Sequence, residues 1–166
     1  MRIDNDHMYH GAALIQIAEH PKFTSINSFK LKKAVIERVY TINDRIGIHL
    51  KYAREPVGAY EEYVFGFTQE NLQQLARINE ASNSLFAALV CVKDREICCL
   101  AYQHLMNFVE RRRSEKGGDE DQYQILVTVP KGKSFRVYIN APGVKKTRLG
   151  KSMIIPRSDF PEKIFG

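Results

Sequence analysis

The sequence predicts an α+β fold, in which a mostly antiparallel or mixed sheet of about six to seven strands is packed by three helices. Three observations carry that prediction. Residues 85–92 are all apolar, residues 93–96 (KDRE) are all charged, and residues 97–100 (ICCL) are apolar again. An apolar run of that length fits a strand buried on both faces, and the second run fits its hairpin partner. Residues 45–53 alternate, with Ile46, Ile48, Leu50 and Tyr52 on one face and Gly47, His49 and Lys51 on the other. Helical periodicity follows twice, at Leu72, Leu75 and Ala76 with Asn79 next on that face, and at Leu105, Met106, Phe108 and Val109. The order is α-β-β-β-α-β-β-α-β-β.

Taken in order, Asp6 is placed to cap a first helix whose inner side carries Tyr9, Ala13, Leu14, Ile17 and Ala18. That helix stops before Pro21, whose ring disfavours a helical residue ahead of it. Residues 23–29 fit either a strand or a loop. Residues 35–42 are rich in β-branched and aromatic side chains and read as a strand that turns at Asn43-Asp44. Residues 54–60 hold Pro56 and Gly58 and read as a loop. Tyr63, Phe65 and Phe67 give the next strand an aromatic inner face. Thr68 caps the second helix. The third helix ends in Arg111, Arg112 and Arg113, cations that complement the negative end of its dipole. Residues 114–122 (SEKGGDEDQ) read as an exposed acidic loop. Residues 123–129 and 134–139 form a hairpin around Pro130-Lys131-Gly132-Lys133. Residues 140–152 read as a basic loop, residues 153–155 as an edge strand, and Phe160, Ile164 and Phe165 as a tail that docks.

Residues 1–166 are expected to form one domain, large enough to build a core without disulfides or metal. Cys91, Cys98 and Cys99 do not make a disulfide framework, and no cofactor or metal is expected. His7 and His10 share a helix face, but no acid or cysteine completes a metal ligand set. With Asp94 and Arg95 at the hairpin turn, Cys91 would face Cys98. No apolar run of membrane-spanning length and no charged-then-apolar leader appear, so a cytoplasmic, membrane-free setting is the expectation.

The formal net charge of +6 is uneven. Residues 131–166 hold nine Lys or Arg against two acids, whereas residues 1–130 hold sixteen against seventeen. A concentrated excess of one sign shapes association with partners more than it shapes fold. The candidates for contact with nucleic acid or another polyanion are Lys131, Lys133, Arg136, Lys145, Lys146, Arg148, Lys151 and Arg157, with Tyr138 the nearest aromatic. The same charge also fits a solvated basic terminus.

A second expectation comes from element order. Helix, three strands, helix, strand over residues 6–92 resembles the core of the PD-(D/E)xK, or restriction-endonuclease-like, superfamily. That resemblance implies carboxylates holding Mg²⁺ and a lysine acting on water at a phosphodiester. The matching residues here are Glu19, Glu37, Asp44 and Lys51. The family's acid two positions before the lysine is His49 in this chain, and neither Glu37 nor Asp44 follows a proline. The leading expectation is therefore a non-catalytic binder of nucleic acid or another polyanion. The alternatives are a nuclease-like enzyme, active or degenerate, and a homo-oligomeric interaction protein with neither activity.

Overall fold

In the computed structural model, which describes residues 1–144 and 146–166, the central apolar run forms β5 (Ser84–Cys91). It pairs in parallel with β3 (Ile46–Ala53) and antiparallel with β6 (Glu96–Ala101). Beyond β3 lie β2 (Ala34–Ile42) and β1 (Ile26–Leu31), giving the strand order β1-β2-β3-β5-β6. The expectation of burial on both faces holds. Leu85, Ala87, Leu89 and Cys91 enter one core, while Ala88 and Val90 enter the other.

A second sheet, antiparallel throughout, has the order β4-β7-β8-β9. Its strands are β4 (Tyr63–Thr68), β7 (Gln122–Thr128), β8 (Phe135–Tyr138) and β9 (Met153–Ile155). The inner core joins this sheet and the helices α2 (Gln69–Ala81) and α3 (Tyr102–Lys116) to one face of the first sheet. The outer core covers the opposite face with α1 (Asn5–Ala18) and a tail comprising the one-turn α4 (Asp159–Glu162) and residues 163–165. The described residues thus contain nine strands in two sheets and four α-helices, where the sequence predicted six to seven strands and three helices. Two causes stand out. The polar Asn27, Ser28 and Lys30 mask β1 at the exposed edge. Alternation also reports that a strand has a buried face without saying which sheet it joins.

Several local expectations shift. Asp4, not Asp6, caps α1: its carboxylate accepts from the His7 backbone, and the His7 ring accepts from the Asp4 backbone. His10 takes a buried place on α1, while Ala18 is exposed. On α2 the buried residue is Ile78, and Asn79 is exposed. The β5–β6 register sets Cys98 opposite Leu89 and Cys91 opposite Glu96, two residues away from the expected Cys91–Cys98 match. Helix α3 runs on to Lys116 and ends at Gly117, whose φ of 82° suits glycine at that position. The acidic loop therefore shrinks to residues 117–121 and is folded back on α3. Glu120 lies 2.5 Å from Arg112 and 3.7 Å from Lys116. Arg112 holds the Glu120 carboxyl below the usual carboxylate range.

The tail docks as expected. Phe160, Ile164 and Phe165 are buried in the outer core. His20 stacks on Phe165 at 4.2 Å, and its Nε2 lies 3.1 Å from a Glu162 oxygen. Among the described residues no helix is long and apolar enough to cross a membrane.

All three cysteines are free and buried. Burial pushes the Cys91 and Cys98 thiols well up and Cys99 to about 12. Because the thiolate is the reacting form, the native protein is expected to resist a bulky disulfide reagent at pH 8. All three thiols should react on unfolding, and rapid native labelling of even one would contradict this packing.

Candidate functional site

The basic C-terminal stretch contributes its cations to a groove on the second sheet. Strand β8 places Arg136 and Tyr138 there, the end of β7 and its turn contribute Thr128, Val129 and Pro130, and the loop before β4 contributes Tyr60, Glu61 and Glu62. Lys146 and Arg148 close it from the loop after β8, and an isolated bridge between Asn140 and Arg148 holds that loop against the strand end. The groove has a volume of about 460 Å³.

Its polar groups are arranged unevenly. The Tyr138 hydroxyl donates to the Glu62 carboxylate. Burial, then the bond to Glu62, pushes the Tyr138 phenol above its ordinary range, so it stays protonated. Arg148 lies over the Tyr138 ring at 5.7 Å and donates to Ser152 Oγ at 3.2 Å. Arg136 donates to the Ser134 carbonyl at 2.9 Å, which steadies its guanidinium without spending it on an acid. Tyr60 is 60% exposed, so its ring is open to a stacking partner at the rim.

The other predicted cations are placed differently. Lys131 and Lys133 are exposed at the β7–β8 turn, and Lys151 is exposed beyond the groove. Lys145 lies outside the described residues. Arg157 is occupied by the fold itself. Its Nε donates to the Lys133 carbonyl at 2.7 Å, its Nη2 to the Pro130 carbonyl at 2.6 Å, and its Nη1 to Glu96 at 3.1 Å. Its guanidinium also lies over the Phe135 ring at 5.9 Å.

The four residues carried by the nuclease resemblance are not drawn into one cleft. Glu19 is the exposed C-cap of α1, and Asp44 lies in the β2–β3 turn with φ 60°. Glu37 is exposed on β2. Lys51 is half-buried beneath β4, with its ammonium 4.8 Å from the Phe67 ring centroid. The cleft at Lys51 is lined by His10, Arg38, Tyr52, Val64, Phe65 and Gly66, and none of the three carboxylates is among them. The described residues contain no group of three or more His, Cys, Asp or Glu side chains arranged to hold a metal ion.

Sequence reasoning missed Tyr60, which sits in the segment read only as a loop, and Glu62, which falls between that loop and the strand at Tyr63. It also missed Arg38 beside Lys51, although a lone arginine inside the β-branched stretch of residues 35–42 was a visible signal. No protein-family model matches the chain, and no curated protein or solved structure matches it.

Proposed function

We propose that the chain binds nucleic acid, without catalysis, through the basic surface that β8 and the loop of residues 140–151 present. The observation that carries this reading is the confinement of the whole positive excess to residues 131–166. Arg136, Lys146 and Arg148 converge on one groove, and Lys131, Lys133 and Lys151 extend the exposed charge around it. Phosphates meet such a surface non-specifically and with strong salt dependence. The exposed Tyr60 ring at the rim favours a strand whose bases are free to stack. Glu61 and Glu62 offset part of the charge within the groove, which leaves backbone contact rather than tight small-anion capture as its natural use.

Neutralising Lys131, Lys146, Arg148 and Lys151 together to glutamine is expected to lower affinity for a single-stranded oligonucleotide at least tenfold. The fold should remain, since these side chains are exposed. The slope of log K against log salt should flatten by roughly 0.7 for each phosphate of a single strand that the variant no longer neutralises. Fluorescence anisotropy over a salt series measures both quantities. A wild-type protein that binds neither single-stranded nor duplex nucleic acid at low salt would sink the proposal.

A further inference from the structure

We propose that the cleft between α1, β2, β3 and β4 is a binding site for a small phosphate-type oxyanion, held by Lys51, Arg38 and His10. The cleft has a volume of about 300 Å³, room for an inorganic phosphate or the terminal phosphate of a monoester.

Three observations on different elements converge there. Lys51 projects from β3 into the cleft and is half-buried, yet its neighbours supply an aromatic ring and a second cation rather than a carboxylate. Burying an ammonium without a counterion is costly, and a cation–π contact recovers only part of that cost. Arg38 sits where the β1–β2 register shifts between Ser28 and Lys30, and its backbone is left-handed with φ 61°. A non-glycine residue in that conformation stores strain, and bulges of this kind re-aim side chains. Here the result brings Arg38 beside Lys51. On α1, His10 is only 6% exposed and lines the same cleft, while its Nε2 has no hydrogen-bond partner among the described residues. Buried polar atoms are ordinarily satisfied, so the orphaned nitrogen leaves a place for a hydrogen-bonding ligand, and the two cations beside it favour an anionic one.

The nearest acid, Asp6, does not fill that place, and Asp4 acts on His10 more weakly still. Asp6 receives Arg38 Nε at 2.9 Å, and its nearest approach to His10 is 3.9 Å, at Nδ1 rather than Nε2. Burial, then the neighbouring Arg38, lowers the Lys51 pKa; burial also lowers the His10 pKa, against the pull of Asp6, and Arg38 and Lys51 add to that lowering. A neutral His10 with its proton on Nε2 donates to a bound oxyanion, which would also relieve the repulsion between Lys51 and Arg38. This site is distinct from the groove on β8, and its test does not depend on polymer binding.

Calorimetric titration with inorganic phosphate, sulfate and ribose 5-phosphate at low ionic strength tests the proposal, with acetate as the comparison anion. Saturable one-to-one binding of phosphate is expected, together with a rise in Tm as phosphate is added. Lys51→Met removes the charge and retains an apolar stem over Phe67, so that variant should fold. It should bind phosphate at least tenfold more weakly and lose the phosphate-dependent rise in Tm. Arg38→Gln should weaken binding similarly, whereas the quadruple glutamine variant of the β8 groove should bind phosphate as the wild type does. Tighter binding of ribose 5-phosphate than of phosphate would identify a monoester as the ligand source, and equal binding would identify the free anion. The absence of saturable phosphate or sulfate binding by the wild type, or unchanged affinity in Lys51→Met, would overturn the assignment.

Discussion

Replacing His49 with leucine is expected to make the protein more stable, most of all in acid. His49 lies on β3, 7% exposed, and neither ring nitrogen has a hydrogen-bond partner among the described residues. Its surroundings are the side chains of Leu75, Leu85, Phe86, Ala87, Leu105 and Tyr102, of which only Tyr102 carries a polar group. Burial, and after it Lys51, His10 and Arg38, depresses its pKa from 6.5 to about 3. The folded state therefore holds the ring neutral, whereas the unfolded chain takes up a proton below pH 6.5. A depressed folded pKa gives stability that is complete above the unfolded value and is lost as pH falls toward the folded one. Across that window the loss from this residue is on the order of 4 kcal/mol, and between pH 7.5 and 4.5 roughly 2 to 3 kcal/mol. Leucine carries no such proton and leaves no orphaned nitrogen, whose removal is worth about 1 to 3 kcal/mol. Urea unfolding of both proteins at those two pH values measures the difference. Parallel losses in wild type and variant would show that His49 is not held neutral.

Arg157→Ala is expected to cost about 2 kcal/mol of stability, a figure reduced for its partial exposure. Three acceptors from two different parts of the chain meet this one guanidinium, and Phe135 lies under it. Removing it leaves the Pro130 and Lys133 carbonyls and the Glu96 carboxylate without their donor. Nucleic-acid affinity should change by much less than in the quadruple glutamine variant, because the Arg157 charge is already engaged within the fold. A variant of wild-type Tm that binds nucleic acid tenfold more weakly would reverse this assignment and return Arg157 to the contact surface. Thermal unfolding and the oligonucleotide titration together separate the two outcomes.

These two residues also show what the sequence made legible. Alternation at residues 46–52 placed His49 on the face opposite Ile46, Ile48 and Leu50, and that face is where the structure puts it. Alternation could not say that the face is covered by a second sheet, since β4 finds its partner only at β7. Burial on both faces was readable at β5 because every position in the run is apolar. Arg157 looked like its neighbours in a basic stretch. Only long-range contacts to Glu96, Pro130 and Lys133 distinguish a structural guanidinium from a free one. The same limit hid the cleft at Lys51: His10, Arg38 and Lys51 lie on three elements, and a bulge turns Arg38 into place. The nuclease resemblance rested on element order, which carries no information about which carboxylates meet which lysine.

The pairing scheme has a consequence for how the chain folds as it is synthesised. Strand β4 emerges with its aromatic face and no ladder partner, and it stays so until Tyr63 can pair with Val127. Helix α1 can cover the outer face of β3 and β5 early, but the outer face of β6 stays bare until Phe160, Ile164 and Phe165 arrive. A nascent chain held on the ribosome through β6 can form the first sheet, yet it presents apolar surface on both sides. Non-local closure of this kind is slow and exposes surface prone to aggregation. Recombinant yield is therefore expected to depend more on translation rate and chaperone supply than the stability of the finished protein would suggest.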